Sequence, residues 1–361
     1  MLFKITMINL KSLYIFLLAL ALNIFFFSTN KINANEKAFL IDEIQIFEQL
    51  ENNFNKDILV NKGFKKAFNE LISKLVHSKD LKKTKKIQLS EVKSMIESFS
   101  IKEEKFINNS YYLNLGVSFN KKKVFNYLEL NNIFPSQIVK KKFLFIPIII
   151  DRVENDLLIF SNNPIYKYWN IENNKTFLID YILPTEDLED FNLIKKNNLD
   201  LENYDFKEIL EKYYLDHSII ALISKDNDEI KILSKIYIED KKVIKNNKFK
   251  KINFNNKENI ETLIDKLKII YEDLWKDHNI INTSIKLPLR IRVNNNNLNI
   301  SIKFEETLNN IDLINNYYVS KFDKDYIIYE IIFNGTPKSF INIMKDQNYI
   351  FDTQKKIWLL K

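Results

Sequence analysis

The chain has 361 residues, of which 46% are hydrophobic, enough for two or three domains with cores of their own, and it carries a formal charge of +7. It contains no cysteine, which excludes disulfides, thiol catalysis and thiolate metal sites. It has only three glycines, none near another, so phosphate-cradling glycine loops are excluded as well.

Residues 1–34 read as a secretory signal. Lys4 and Lys11 supply the positive start and residues 13–27 the apolar core, with Ala34 before a cut at Asn35. Ile32 is larger than the usual small residue at its place, so a retained anchor helix is the alternative. Either way the remainder lies outside the cytoplasm, in the periplasm. Lys4, Lys11 and Lys31 carry three of the +7 charges and the leader has no acid, which leaves +4 for the rest. That excess suits solubility better than polyanion binding, and nucleic acid is not an expected partner. Lys and Asn abound while Gly and Pro are scarce, a bias that matches A/T-rich codons and a low-GC genome.

Residues 35–138 are expected to form an N-terminal α+β domain. Phe64, Phe68, Leu71, Ile72 and Leu75 mark an amphipathic helix. Lysines 82, 83, 85 and 86 mark an exposed connection, and Ser90 is expected to cap a second helix with Val92, Met95, Ile96 and Phe99 inward. The pattern then switches to period two: Leu113, Leu115, Val117 and Phe119 predict a half-buried strand. A short helix with Val124, Phe125 and Leu128 inward closes the unit.

Residues 139–284 predict a central α/β domain with a mixed or parallel sheet. Residues 143–150, FLFIPIII, are too short to cross a bilayer and read as a strand buried on both faces, with helices on each side. Asn163-Pro164 starts a helix, Asn as cap and Pro at the first position, with Ile165, Tyr168 and Trp169 on one face. A strand over 176–183 follows. Asp205 and Glu208 have capping-box spacing before a helix carrying Phe206, Ile209, Leu210 and Tyr213. Residues 218–223 and 229–238 read as a hairpin, and Ile260 to Trp275 keep one apolar face for four turns.

Residues 285–361 predict a C-terminal α+β domain, helices on one side of an antiparallel sheet. Ile285 to Val293 alternate, four asparagines turn the chain, and Leu298, Ile300, Ile302 and Phe304 alternate back as a hairpin. A helix around Leu308, Ile311 and Ile314, a strand over 325–333, a helix started by Thr336-Pro337 and a short hairpin with Trp358 complete it. One echo links the ends. Phe119-Asn120, Phe125 and Asn132-Ile133-Phe134 recur as Phe333-Asn334, Phe340 and Asn348-Tyr349-Ile350-Phe351, which reads as convergence on one supersecondary unit.

No catalytic or cofactor motif is present. His77, His217 and His278 share no metal spacing, and no cofactor or metal is implied. The run Glu186, Asp187, Glu189, Asp190 offers an acid/base or cation reading, against the plainer one of acids at a helix start. Lysines 121–123, 140–142 and 248, 250 and 251 are edge guards or, together, a patch for anionic lipid. In open α/β sheets ligands gather beyond the carboxyl ends of strands. The candidate ligand site is therefore Arg152 in the loop after the central strand, with Asn163, Pro164 and Trp169, joined by Asp187 and Asp190.

The segments AFNELISKLV, YYLNLGVSFN, KKFLFIPIII, FSNNPIYKYW and ILPTEDLED resemble the exported proteobacterial proteins grouped as domain of unknown function 2066. Phe160, Asn163, Pro164, Trp169, Asp187 and Asp190 fall at that family's pattern positions, with Phe160 in place of tryptophan and Thr185-Glu186 in place of Gly-Asp. The resemblance implies export and fold, and no activity. The middle unit is also similar in element order to small α/β domains of periplasmic Tol-system proteins, which act by protein contacts. The expectation is a periplasmic interaction or assembly module of a Gram-negative envelope, with protein partners. The alternatives are a ligand-binding protein or hydrolase at the 151–170 loop, and a peripheral binder of anionic lipid.

Overall fold

The computed structural model describes residues 38–49, 54–151, 156–170, 176–226, 229–239, 241–250, 252–295 and 298–361. The signal with Ala34 and Asn35, and Arg152, lie outside the described residues. The fold is mixed α/β and α+β with three sheets.

The first sheet is built from β1 (Leu40–Gln49), β2 (Ile96–Ile107) and β3 (Ser110–Phe119), with β3 in the middle and antiparallel to both. Between β1 and β2 run α1 (Lys56–Leu75), α2 (Leu81–Thr84) and α3 (Leu89–Met95); α4 (Lys121–Leu130) follows β3. The expected stripe Phe64, Phe68, Leu71, Ile72 and Leu75 of α1 is buried against the inward face of β3. The helix approaches the sheet closely at Gly63, where a Cβ would lie 2.3 Å from Leu115 Cδ1. The expected helix through Phe99 is not formed beyond Met95, and Ser90 is not its cap. Ile96, Phe99 and Ile101 fit either period, and a β2–β3 hairpin decides for strand. It turns on Asn108 and Asn109, both at positive φ, the two-residue turn whose twist matches the flanking strands.

The central sheet contains β4 (Lys141–Asp151), β5 (Asp156–Leu158), β6 (Ile179–Ile182), β7 (His217–Asp226), β8 (Glu229–Ile238) and β9 (Lys241–Lys250). β4 runs parallel to β6 and β7 and antiparallel to β5, and β7, β8 and β9 form a meander. Its helices are α5 (Pro164–Tyr168), α6 (Leu188–Lys196), α7 (Lys207–Glu211) and α8 (Lys257–His278). β4 is covered on both sides, as its composition predicts. Phe143, Phe145 and Ile149 meet Leu263, Leu267, Tyr271 and Trp275 of α8 on one face. Leu144, Ile146 and Ile148 meet Ile194, Phe206 and Ile209 on the other. Each such side chain contributes roughly 1.5–3 kcal/mol by burial. The Asp205–Glu208 capping box does not form: α7 has five residues, Phe206 occupies the cap position without a side-chain bond, and Asp205 accepts only from the Lys207 amide.

The last sheet holds β10 (Leu287–Asn294), β11 (Ile314–Phe322), β12 (Tyr326–Phe333), β13 (Phe351–Asp352) and β14 (Trp358–Leu360), in the order β11-β12-β10-β14-β13. Two expectations are corrected here. Residues 298–304 are not a strand but the start of α9 (Leu298–Asn310). Ser301, Phe304 and Leu308, at helical spacing, are buried, while Leu298, Ile300 and Ile302 stay exposed. Both edges of β10 are taken by β12 and β14, so no returning strand has a place beside it. Ile314, expected in a helix, begins β11. The sheet is also not purely antiparallel, because β14 runs parallel to β10. α10 (Pro337–Asp346) starts as expected, its first turn capped by the Thr336 hydroxyl on the Ser339 amide.

With the inserted α2 and α3 set aside, the order β1-α1-β2-β3-α4 repeats as β10-α9-β11-β12-α10 with the same neighbours, the third strand between the other two. The echo marks equivalent corners. Asn132 and Asn348 both stand at positive φ just past α4 and α10. Beyond them the Ile133 amide bonds to Leu128 O and the Tyr349 amide to Met344 O, the same helix-ending bond in both units.

Candidate functional site

Of the site residues expected beyond the carboxyl end of β4, Asn163, Pro164 and Trp169 are taken up in starting and packing α5. Asn163 is fully buried. Its Oδ1 accepts from the Ile165 and Tyr166 amides at 2.9 and 3.3 Å, and its Nδ2 donates to Pro147 O and Leu158 O at 3.0 and 3.2 Å. One side chain thus caps α5 and ties it to β4 and β5, with no donor left for a ligand. Pro164 holds the first helical position. Trp169 is fully buried, its ring stacked on Phe145 at 3.7 Å and edge-on to Tyr181 at 5.2 Å.

Asp187 caps α6 by accepting from the Glu189 and Asp190 amides. Asp190 is buried and lies 2.6 Å from Lys212 Nζ, which also reaches Glu189 at 2.8 Å and Asp187 at 3.8 Å. Bonds to Asp190 and then Glu189 hold the Lys212 ammonium protonated well above the ordinary lysine range. Three carboxylates share one cation, which joins α6 to the end of α7. The Tyr166 hydroxyl donates to Pro184 O at 2.7 Å, so α5 and the acidic turn are neighbours, brought together by packing. Asp151, at the end of β4, pairs with Lys225 on β7 at 2.8 Å.

A hollow lies at the opposite end of the sheet. A cavity of about 590 Å³ lies where β4, β6 and β7 begin, between lysines 140–142, the 177–180 segment and the 214–217 loop. Lys142 and Asp180 face each other in the β4–β6 register. Tyr214, 93% exposed and at φ 50°, stands on the rim. His217 forms part of the wall, stacked on Phe143 at 4.9 Å with Nδ1 accepting the Glu239 amide at 3.3 Å. Burial, and then Lys141, push its pKa down, so the neutral ring prevails. Three ammonium groups and two carboxylates, Asp180 and Asp216, suit a small polar ligand of mixed charge. Nothing in the β4–α5 pattern pointed here.

A buried polar bracket also escaped the sequence reading. α8 carries Glu272, Asp273 and Lys276 beside its apolar stripe, all three buried. Glu272 accepts the Leu178 and Ile179 amides at 2.9 and 2.7 Å, and desolvation raises its pKa. Lys276 donates to Ser73 O and Val76 O at the carboxyl end of α1, a favourable place for a cation, while burial lowers its pKa. Asp273 accepts from the Ser78 amide at 2.8 Å and from its hydroxyl. The bracket fastens the first unit to the central one.

The first lysine run fastens the two end units: Lys121 pairs with Asp312 at 2.7 Å, and Lys122 reaches Asn316 at 3.3 Å. Among the described residues no group of three acidic or histidine side chains is arranged to hold a metal ion. No described helix is long and apolar enough to cross a membrane. No family model and no curated protein matches this chain.

Proposed function

We propose that the protein is an exported interaction or assembly module of the Gram-negative cell envelope, working by protein contacts. The resemblance of residues 64–190 to the exported family named above supports export. One observation carries the interaction role: exposed large apolar side chains are grouped on outer strands of the two end sheets, with one more on the outer strand of the central sheet. Phe99, Ile101, Phe106 and Ile107 stand on β2, Ile244 on β9, and Tyr318, Val319 and Phe322 on β11. Unpaired strand edges with apolar side chains are the surfaces by which sheets recruit other chains. The groups expected to do chemistry, by contrast, are consumed in caps and ion pairs.

The test is a photoreactive phenylalanine analogue placed at Phe106 in cells, with Leu199, an isolated exposed residue, as the control position. A discrete envelope adduct from position 106 and none from 199 is the expected result. Fractionation of the full chain with the cytoplasm, or adducts equal at both positions, would refute the proposal.

A further inference from the structure

The long outer strands are not alike. β1 breaks its register once, between Ile41 and Ile44, and β2 and β11 break theirs twice each. β9 pairs with β8 over ten successive residues without a break, and among the described residues nothing pairs with its other side. Bulges spoil an edge as a template, so among the described strands β9 is the long edge whose geometry can accept another strand along its length.

Its side chains say which strand. β9 reads KKVIKNNKFK: Lys241, Lys242, Lys245, Lys248 and Lys250, all exposed, with no acid among them. None of the five makes an ion pair among the described residues; Lys242 rests over the Tyr237 ring at 5.6 Å. Val243 and Phe249 pack toward α8, which places Lys241 and Lys245 on that face and Lys242, Lys248 and Lys250 on the other. A second copy of β9 would set lysines against lysines, and like charges opposed across strands repel. Anionic headgroups would meet the charge yet leave the open row of backbone amides and carbonyls without strand partners.

Building on the interaction role proposed above, we infer that β9 receives an extended acidic segment of a partner protein as an added strand. Backbone bonds hold it, and carboxylates on both of its faces meet the five lysines. The lysines thus bar like edges and admit an acidic one.

The test uses the purified full chain and a labelled ten-residue peptide, matched to β9 in length, with glutamate opposite each lysine and threonine elsewhere. Because the peptide is added to purified protein, the outcome does not depend on where the chain resides in the cell. Expected results are saturable binding and slowed hydrogen exchange confined to β8 and β9. Affinity should fall about tenfold or more when the five lysines become glutamine, since five exposed ion pairs are lost together. The same peptide with alternate amides N-methylated, tested on the unaltered protein, should bind at least about tenfold more weakly because it cannot pair as a strand. Equal binding of the methylated peptide, no binding of either, or binding only to phosphatidylglycerol vesicles would each overturn the inference.

Discussion

In the N-terminal unit the strand that starts the fold, β1, lies at the rim of its sheet; in the C-terminal unit its counterpart β10 lies inside, because β14 and β13 close over its outer side. The strand order and the helix-ending corners are otherwise the same. The open strand carries a bulge, whereas the covered one pairs over eight residues without a break. A rim strand must be made unfit for stray pairing, and an inner strand is freed from that demand. The two units therefore show one architecture under two edge conditions.

That comparison can be broken most forcefully in the cores. Phe68 and Phe304 are the fully buried rings of α1 and α9. Phe68→Ala and Phe304→Ala should each cost about 3–5 kcal/mol in chemical denaturation, if the two helices play equivalent parts. Clearly unequal losses would show that the shared order hides different cores.

Gly63→Ala sharpens the contrast at the close approach of α1 to its sheet. Alanine gains about 1 kcal/mol in helix propensity, but its Cβ meets buried Leu115. The overlap should win, for a net loss of about 1–3 kcal/mol by the same measurement. Asn132→Ala and Asn348→Ala test the matched corners, each costing about 1 kcal/mol for a left-handed backbone without a suitable side chain. Glycine at either place should be nearly neutral.

The smallest effect concerns the buried carboxyl of α8, in the unit between these two. The folded state raises the Glu272 pKa by burial, so it binds that proton more tightly than the unfolded chain does. Stability from this group is greatest below the ordinary carboxyl range and declines as pH rises through the raised value. Glu272→Gln keeps an acceptor for the Leu178 and Ile179 amides, so urea midpoints measured across that window should lose this slope and little else. The C-terminal unit, held through Lys121 and Asp312, should show no matching change.

Much of the fold could be read where pattern and neighbours agree. FLFIPIII has no polar face, so only a strand covered on both sides accommodates it, and Asn163-Pro164 admits one helix start. The reading failed where one set of apolar residues satisfies two periods. Ile96, Phe99 and Ile101 make a helix stripe or a strand, and Leu298 to Phe304 a strand or a helix; a partner distant in sequence decides both. β1 and β9 were missed because rim strands bury one side or less, and the lysines and asparagines of β9 show no alternation. As for the site, the residue types at Asn163, Trp169 and Asp187 were informative about local structure. Asn163 and Asp187 bond to amides two or three residues on and Trp169 packs in the core, a result that composition cannot distinguish from a ligand contact. The α8 bracket is legible only after folding, since its partners Ser73, Val76 and Ser78 lie some two hundred residues away.

None of the three glycines stands at positive φ, while four asparagines, at 108, 109, 132 and 348, do. Half of the eight described residues at positive φ are thus asparagine, a residue that tolerates that backbone at modest cost. These turns are consequently stiffer in the unfolded ensemble than glycine would make them, and folding surrenders less disorder at each corner. A composition poor in glycine has in this way left a thermodynamic imprint on the backbone.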